Sequence, residues 1–272
     1  MWDIEFYVKW GFLRSKMNFI ATYNTDIGIK KNTNQDSLAI RIIDSPLGKV
    51  AFAIVCDGMG GLSKGELASK EVIMAFTDWF DNVFATEISQ GLFSVSNLHN
   101  RWNEIILEQN KRLGRYGDEN GIMLGTTVSA MLMINEEYYI VHVGDSRIYE
   151  LSDVCKQLTN DQSFVAREIA MGRMTPEQAK NDPRRSILLQ CVGASNVVEP
   201  DFLKGSLKKD AVYILCSDGF RHQISDEEVM ERLSPEAADS EKMLKYGCIY
   251  LTELVKKRRE TDNITVSAIR TL

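Results

Sequence analysis

Five aspartates of this 272-residue chain stand where strands are predicted to end. Asp57 and Asp218 each follow an apolar run and precede a glycine, a pattern that predicts a buried strand ending in a turn. Three further aspartates lie in short polar stretches beside predicted strands: Asp36, Asp145 and Asp262. A single Asp-Gly pair is typical of a tight turn. Five carboxylates at strand ends, however, can converge on one place.

Carboxylates brought together repel one another, so such a cluster needs cations to neutralise it. The chain has only three histidines, His99, His142 and His222, and none has the spacing of a metal-ligand pair. Ligation by oxygen alone favours Mg²⁺ or Mn²⁺ over zinc or copper. Two such ions, about 3.5–4 Å apart and bridged by one carboxylate, would turn water into a hydroxide nucleophile near neutral pH. The aspartates therefore predict hydrolysis of a phosphate ester.

The elements that must position these aspartates are strands and amphipathic helices. Strands are predicted at 19–23, 37–43, 50–56, 126–134, 138–143, 146–151, 212–216 and 264–269. Ser63 and Glu66 form a predicted capping box for a helix whose apolar stripe reaches Val83. Two further helices are predicted at 97–112 and around 243–255. Without a low-complexity linker or an internal repeat, the pattern predicts one α+β domain of antiparallel sheets covered by helices.

Residues 158–205 differ from the rest of the chain, because they are polar and contain only short helical pieces. Thr175-Pro176-Glu177 begins one such piece, and Asp182-Pro183 ends it. An insertion of this length between strands is more often functional than idle.

Composition excludes several other functions. The chain has 32 basic and 38 acidic residues, a net charge of −6 and no basic stripe, so nucleic acid is not an expected partner. No apolar run reaches 18 residues, so no membrane span is expected. Five cysteines without a close-spaced framework predict free thiols in a reducing compartment, hence a cytoplasmic protein. Met17 is an alternative start site, which would make residues 1–16 an extension of unknown role and 17–272 the domain.

Six short blocks resemble, in their order, the signature motifs of the metal-dependent type 2C Ser/Thr protein phosphatases, known as the PPM family. The blocks are Asn34-Gln35-Asp36, Asp57-Gly58-Met59-Gly60-Gly61, Gly125-Thr126-Thr127, Gly144-Asp145-Ser146-Arg147, Ser217-Asp218-Gly219 and Asp262-Asn263. The Met-Gly-Gly run and the 158–205 segment are similar to the compact bacterial branch. The resemblance covers residues 20–270 and implies a four-layer α/β/β/α sandwich, two antiparallel sheets flanked by helices, with residues 158–205 as a flap.

The resemblance also implies the ligands of two core Mn²⁺ or Mg²⁺ ions. Asp57 would bridge both ions, and Asp218 and Asp262 would complete the shell of the first. The Gly58 carbonyl would ligate the second ion, which Asp36 would hold through water. Asp145 and Asp218 resemble the pair that holds a weaker third ion in bacterial members, and Asn263 resembles a group that orients Asp262. No side chain would act as the nucleophile.

The implied partners are phosphorylated protein substrates of a cognate Ser/Thr kinase, and the implied state is a monomer. One position departs from the family pattern. Where the family usually has an arginine that binds the substrate phosphate, this chain has Lys31, beside Lys30. A lysine is a point charge without the bidentate fork of arginine, so weaker or less directional phosphate binding is expected.

Other phosphatase chemistries fail on the sequence. No cysteine is followed six positions later by arginine, as a cysteine phosphatase requires, and the Asp-x-His and Asn-His-Glu blocks of calcineurin-type enzymes are absent. The alternative from another class is a phosphatase-like regulatory or binding module without useful catalysis. Such a module is expected to lose metal-binding aspartates, whereas this chain keeps all five.

Overall fold

A computed structural model describes residues 17–60 and 64–272, and within them the strands form two antiparallel sheets. The first sheet contains, in spatial order, β1 (Phe19–Asp26), β11 (Ile264–Thr271), β10 (Val212–Cys216), β7 (Arg147–Leu151) and β8 (Cys155–Gln157). The second contains β2 (Asp36–Ser45), β3 (Gly48–Gly60), β5 (Val128–Ile134), β6 (Glu137–Val143) and β9 (Asp201–Ser206), with the short β4 (Leu124–Thr126) paired to β3.

The described ranges contain eight α-helices: α1 (Gly65–Asp78), α2 (Ala85–Ser89), α3 (Val95–Asn120), α4 (Phe164–Ala170), α5 (Pro176–Lys180), α6 (Asp218–Arg221), α7 (Asp226–Leu233) and α8 (Glu241–Lys257), with a π-helical turn, Trp79–Phe84, between α1 and α2. Helices α1 and α3 pack on the outer face of the second sheet, and α7 and α8 on that of the first. Of the helices in the described ranges, none combines the length and the apolar character that crossing a membrane requires.

The alternation of side chains along β3 shows how the layers form. Phe52 and Ile54 point to one face and pack with α1 and α3, while Ala51 and Ala53 point to the other and pack against the first sheet. A third cluster joins the outer face of the first sheet to α7 and α8. These three cores confirm the predicted four-layer sandwich.

Several boundaries differ from the sequence prediction. The predicted turn at Asp57-Gly58 is wrong, because β3 continues to Gly60 through pairing with β4. Asp218 does not begin a turn either, since it opens α6. Among the elements that were not predicted are β8, β9 and α7. A tight hairpin turn joins β5 to β6, with Asn135 and Glu136 both at positive φ.

Two predictions fall on residues that the structure does not describe. Ser63, the proposed helix cap, lies outside the described ranges, and so does the extension 1–16. The described part of the helix begins at Gly65, after Lys64 in the left-handed conformation.

Phe52 is the centre of an aromatic cluster that fixes α1 and α3 on the second sheet. Its ring stacks on Phe80 at 5.2 Å and lies within 6.4 Å of Phe76, Trp79 and Trp102. We expect Phe52→Ala to lower the free energy of unfolding by about 3–5 kcal/mol, because it leaves a cavity in a fully buried layer. Urea titration followed by tryptophan fluorescence measures this change.

The matched control is Met123→Ala, at a side chain that is 76% exposed. It should change the free energy of unfolding by less than about 0.5 kcal/mol. A loss below 1 kcal/mol for Phe52→Ala would contradict the central role of this ring.

Candidate metal centre

The five predicted aspartates meet at one end of the sandwich, and each sheet contributes some of them. The register of β2 and β3 places Asp36 directly opposite Asp57. The other three lie at the ends of strands of the first sheet: Asp145 before β7, Asp218 after β10 and Asp262 before β11. Burial raises the pKa of Asp57 well above its ordinary value, and the other four carboxylates raise it further.

A hydrogen-bonded bridge through Ser217 joins the two sheets at this end. The Ser217 hydroxyl donates to Asp36 Oδ2 at 2.9 Å, and Ser217 Oγ in turn accepts from the Thr265 backbone N–H at 3.0 Å. Asp36 is therefore held by a residue that directly precedes Asp218. The backbone N–H of Asp57 donates to Thr127 Oγ1 at 2.9 Å, which fixes the strand segment that carries the second carboxylate.

Asn263 connects Asp262 to the loop that follows β1. Its backbone N–H donates to Asp262 Oδ1 at 2.8 Å. Its side-chain oxygen accepts from the Gln35 N–H at 2.9 Å, and its amide nitrogen donates to the carbonyls of Ile27 (2.9 Å) and Thr33 (3.2 Å). The contact with Asp262 is therefore made by the backbone, while the side chain anchors loop 27–35, a role that sequence reasoning missed.

Gly58 allows α1 to begin directly against the cluster. A Cβ atom at this position would lie 2.2 Å from the Gly65 carbonyl oxygen and 2.4 Å from that of Gln35, far inside van der Waals contact. The Gly58 N–H donates to the Gln35 carbonyl at 3.1 Å. Any larger residue here would push α1 and the start of β2 away from the carboxylates.

Burial and mutual repulsion dominate the electrostatics of the cluster. Burial raises the pKa of Asp36 to about 7, a shift that hydrogen bonds from Thr265 and Ser217 oppose and that Asp218 reinforces. Burial likewise raises the pKa of Asp145 to about 7, with Asp218 adding to the shift and Arg221 opposing it. Without added cations, the cluster therefore binds protons close to neutral pH.

The donor set fits a hard divalent cation in its chemistry. Asp36 Oδ1 and Asp218 Oδ1 are buried and have no hydrogen-bond partner, although buried carboxylate oxygens are normally paired. In the conformation described for 17–60 and 64–272, no three Asp, Glu, His or Cys side chains converge on a single ion-sized point. Ser217 is hydrogen-bonded to Asp36, and Lys31 forms an ion pair with Asp262. To bind an ion together, the Asp36 and Asp262 side chains would have to rotate away from these two contacts.

Lys31 lies at the margin of the cluster rather than on a solvated loop face. Its Nζ is 2.8 Å from Asp262 Oδ1, and both side chains are nearly two-fifths exposed. Burial lowers the pKa of Lys31, but Asp262, Asp57 and Asp218 together outweigh it and leave the pKa raised. The ammonium group is therefore an internal counter-ion of the carboxylates.

Sequence reasoning missed a second group of charges next to Asp145. Arg147 donates two 2.7 Å hydrogen bonds to Asp161, and Arg221 Nη2 lies between Asp145 and Asp161. The flap segment 158–205 begins here, since the Gln162 N–H donates to the Gly144 carbonyl at 2.7 Å. Arg221 lies three positions after Asp218, but no local sequence pattern predicts its contact with Asp145, which lies 76 positions earlier.

The raised pKa of Asp36 predicts how the stability of the metal-free protein depends on pH. A carboxyl whose pKa rises from 3.8 to about 7 on folding stabilises the folded state below pH 4, and this contribution is lost as the pH rises through 7. In chelator, we expect the free energy of unfolding to fall by on the order of 2–4 kcal/mol between pH 4.5 and 7.5. Asp36→Asn should remove part of that fall.

Urea titrations at both pH values measure the effect. The control is Asp44→Asn, at a largely exposed carboxylate far along β2 from the cluster, which should keep the wild-type difference. Equal pH dependence in wild type and Asp36→Asn would contradict the assignment.

Comparison with known proteins agrees with this geometry. The family model described as "Protein phosphatase 2C" matches residues 29–246. A "Serine/threonine phosphatase stp" of Listeria innocua is 32% identical over 251 residues, which cover 90% of this chain and 93% of that protein.

Two solved structures share the fold. Serine/threonine phosphatase Stp1 from Staphylococcus aureus superposes with a TM-score of 0.77 at 27% identity, over 92% of this chain and 94% of that one. The catalytic domain of serine/threonine protein phosphatase PstP, in complex with two manganese ions, gives a TM-score of 0.75 at 26% identity, over 94% of this chain and 99% of that one.

Proposed function

Because this chain belongs to the protein phosphatase 2C family and is a protein serine/threonine phosphatase, we propose that its acidic cluster holds two divalent cations for hydrolysis of phosphoserine and phosphothreonine. The observation that carries this proposal is the pairing of Asp36 with Asp57 across β2 and β3, next to the unpartnered oxygens of Asp36 and Asp218. Buried carboxylates in this arrangement are stable at neutral pH only with cations or protons between them.

The proposed ligands come from both sheets. Asp57 would contact both ions, with Asp218 and Asp262 on the first ion and the Gly58 carbonyl and Asp36 on the second. Oxygen donors favour Mn²⁺ or Mg²⁺, and the two manganese ions of the PstP structure support this choice. When bound, the ions would activate a water for attack on phosphorus and neutralise the phosphoryl oxygens.

The protein's own groups would fix the ligands in place. Ser217 orients Asp36, and the Asn263 N–H orients Asp262. No cysteine takes the role of nucleophile in this proposal. Burial raises the thiol pKa of both Cys56 and Cys216, so these neighbours of the cluster stay protonated and unreactive at neutral pH.

Lys31 is the proposed contact for the substrate phosphate. Its ammonium group already faces the carboxylates, and a cation at Asp262 would replace it as the partner of that carboxylate. The freed ammonium would then be available to the negative phosphate at the same margin of the cluster. Its flexible four-carbon stem permits this exchange.

Other parts of the proposal concern the cell. Residues 17–272 would form the catalytic domain, with residues 158–205 as its flap. The substrates would be phosphoproteins of a cognate Ser/Thr kinase, and the protein would act as a cytoplasmic monomer. Its five cysteines are all free, which agrees with a reducing compartment.

The two-ion proposal predicts coupled effects of Asp57→Asn. With Mn²⁺, the wild type should hydrolyse an aryl phosphate and a phosphothreonine peptide, and Asp57→Asn should lower kcat by about 1,000-fold or more, because the shared ligand is lost. Mn²⁺ at about 100 times its Kd should stabilise the wild type by about 2.7 kcal/mol and the variant by much less.

Hydrolysis assays and thermal unfolding in chelator and in Mn²⁺ measure both effects, with Asp44→Asn as the surface control. A folded wild type that gains stability from Mn²⁺ yet hydrolyses neither substrate would favour a non-catalytic module instead.

The phosphate role of Lys31 predicts opposite changes in two variants. Lys31→Met should raise KM for the phosphopeptide by about three- to tenfold, because one charge-assisted contact is lost. Lys31→Arg should lower KM, since a guanidinium can bind phosphate with two parallel hydrogen bonds. Lys30→Met, at the exposed neighbour, is the matched control and should leave KM unchanged. An unchanged KM in both Lys31 variants would remove Lys31 from the phosphate site.

A further inference from the structure

We propose that the guanidinium of Arg221 neutralises the carboxylate of Asp145, which therefore holds no metal ion. The side chain of Arg221 takes the place of a third cation at the cluster. The inference rests on the proposed two-ion centre and adds to it. It assigns Arg221 a positioning role at a site where the family resemblance implied a weak third ion.

The contact between the two residues is buried and involves both backbone and side chain. Arg221 Nη2 donates to the Asp145 carbonyl oxygen at 3.0 Å and lies 3.6 Å from Asp145 Oδ2. The side chain of Arg221 is 14% exposed and that of Asp145 is 9% exposed. In the described parts of the chain, no other cation lies within ion-pair distance of this carboxylate.

Arg221 is held in this position from the opposite side. Its Nη2 is also 3.5 Å from Asp161 Oδ2, and Asp161 accepts two hydrogen bonds from Arg147. When both carboxyl groups are ionised, these four side chains carry two negative and two positive charges, so the group is neutral without any ion. Removing Arg221 from it would leave two buried carboxylates with one guanidinium, which is unfavourable.

Helix α6 fixes the backbone of Arg221, which is its last residue. Helix α6 follows β10 after one residue. Phe220, next to Arg221, is buried in the core between the first sheet and helices α7 and α8. Arg221 therefore cannot swing away as a residue on a free loop could. An ion shared by Asp145 and Asp218 would lie close to a guanidinium that does not lose its proton at any ordinary pH. Repulsion between such an ion and the Arg221 guanidinium would therefore persist at every pH at which the protein is folded.

Lys31 illustrates the difference between a fixed and an exchangeable counter-ion. Its side chain is 38% exposed and its ammonium group has a single carboxylate, Asp262, within ion-pair distance in the described residues. It can leave Asp262 for a phosphate or for water at little cost. Arg221 is more deeply buried and contacts two acidic residues, so it cannot leave without a large loss.

The four-charge group also joins the flap to the catalytic end. Asp161 lies near the beginning of the 158–205 segment. The neighbouring Gln162 donates its backbone N–H to the Gly144 carbonyl at 2.7 Å, and its side-chain oxygen accepts from the Gly144 N–H at 2.8 Å. The position of the flap base is consequently set by Arg147 and Arg221. It would not depend on whether a third ion is bound.

Manganese titration of four proteins tests this assignment. Bound Mn²⁺ is counted by calorimetry and by the loss of the free-ion electron paramagnetic resonance signal, in wild type, Asp145→Asn, Arg221→Met and Arg221→Lys. We expect two ions in wild type and two in Asp145→Asn, with each Kd changed by less than about threefold. Loss of even a supporting contact to a metal would change Kd by about 10- to 100-fold.

Arg221→Met should expose a third, weaker site, whereas Arg221→Lys should keep two because the positive charge is retained. Three ions in wild type with the third lost in Asp145→Asn would overturn the proposal, as would a tenfold weaker Kd in Asp145→Asn. Only two ions in folded Arg221→Met would show that Arg221 is not what excludes the third.

If Arg221→Met does not fold, the number of ions bound by wild type and by Asp145→Asn still tests whether Asp145 holds an ion. The same two counts distinguish a failure of this inference from a failure of the proposed function. A wild type that binds no Mn²⁺ would overturn the two-ion centre and this inference together, whereas three ions would overturn this inference only.

Discussion

Repulsion among buried carboxylates is the constraint on which the rest of this structure depends. Asp36 and Asp57 face each other on adjacent strands, and three more aspartates approach from the other sheet. Each such contact destabilises the ionised, metal-free fold, since one unit of pKa shift corresponds to about 1.4 kcal/mol. Three hydrophobic layers must supply the compensating free energy, and Ser217 and Asn263 must hold the strand ends against the repulsion.

Arg221, Lys31 and the proposed metal ions are three kinds of positive charge that would offset this repulsion, and they differ in how deeply they are buried. Arg221 is fixed by two acidic partners and by its place on α6. Lys31 is 38% exposed and has only Asp262 as an ion-pair partner among the described residues. In the described parts of the chain, the centre of the cluster around Asp57 has no side-chain cation within ion-pair distance, which is where the proposed ions would lie. A gradient from fixed to exchangeable charge thus runs across the site, with the proposed substrate contact at the exchangeable end.

How much of this arrangement the sequence predicts depends on the range of the interactions involved. The five aspartates and both sheets could be predicted, because apolar runs and the residues that end them are local signals. The turn at Asp57-Gly58 was predicted wrongly, because only pairing with the distant β4 extends the strand. Strand β9 was missed because it lies at a sheet edge and all its residues are exposed or only half-buried. The Arg221–Asp145 pair was missed because it is purely tertiary.

The inner layer between the sheets links the stability of the fold to the geometry of the site. Asp36 and Asp57 belong to the second sheet, and Asp145, Asp218 and Asp262 border strands of the first, so the spacing of the sheets sets the spacing of the carboxylates. Small, fully buried residues such as Ala51 and Ala53, on the same strand as Asp57, lie in the layer between the sheets. Larger side chains in this layer would separate the two halves of the cluster, because a close-packed interior cannot absorb added volume. The hydrophobic core is therefore part of what defines the geometry of the proposed metal centre, although none of its residues is a proposed ligand.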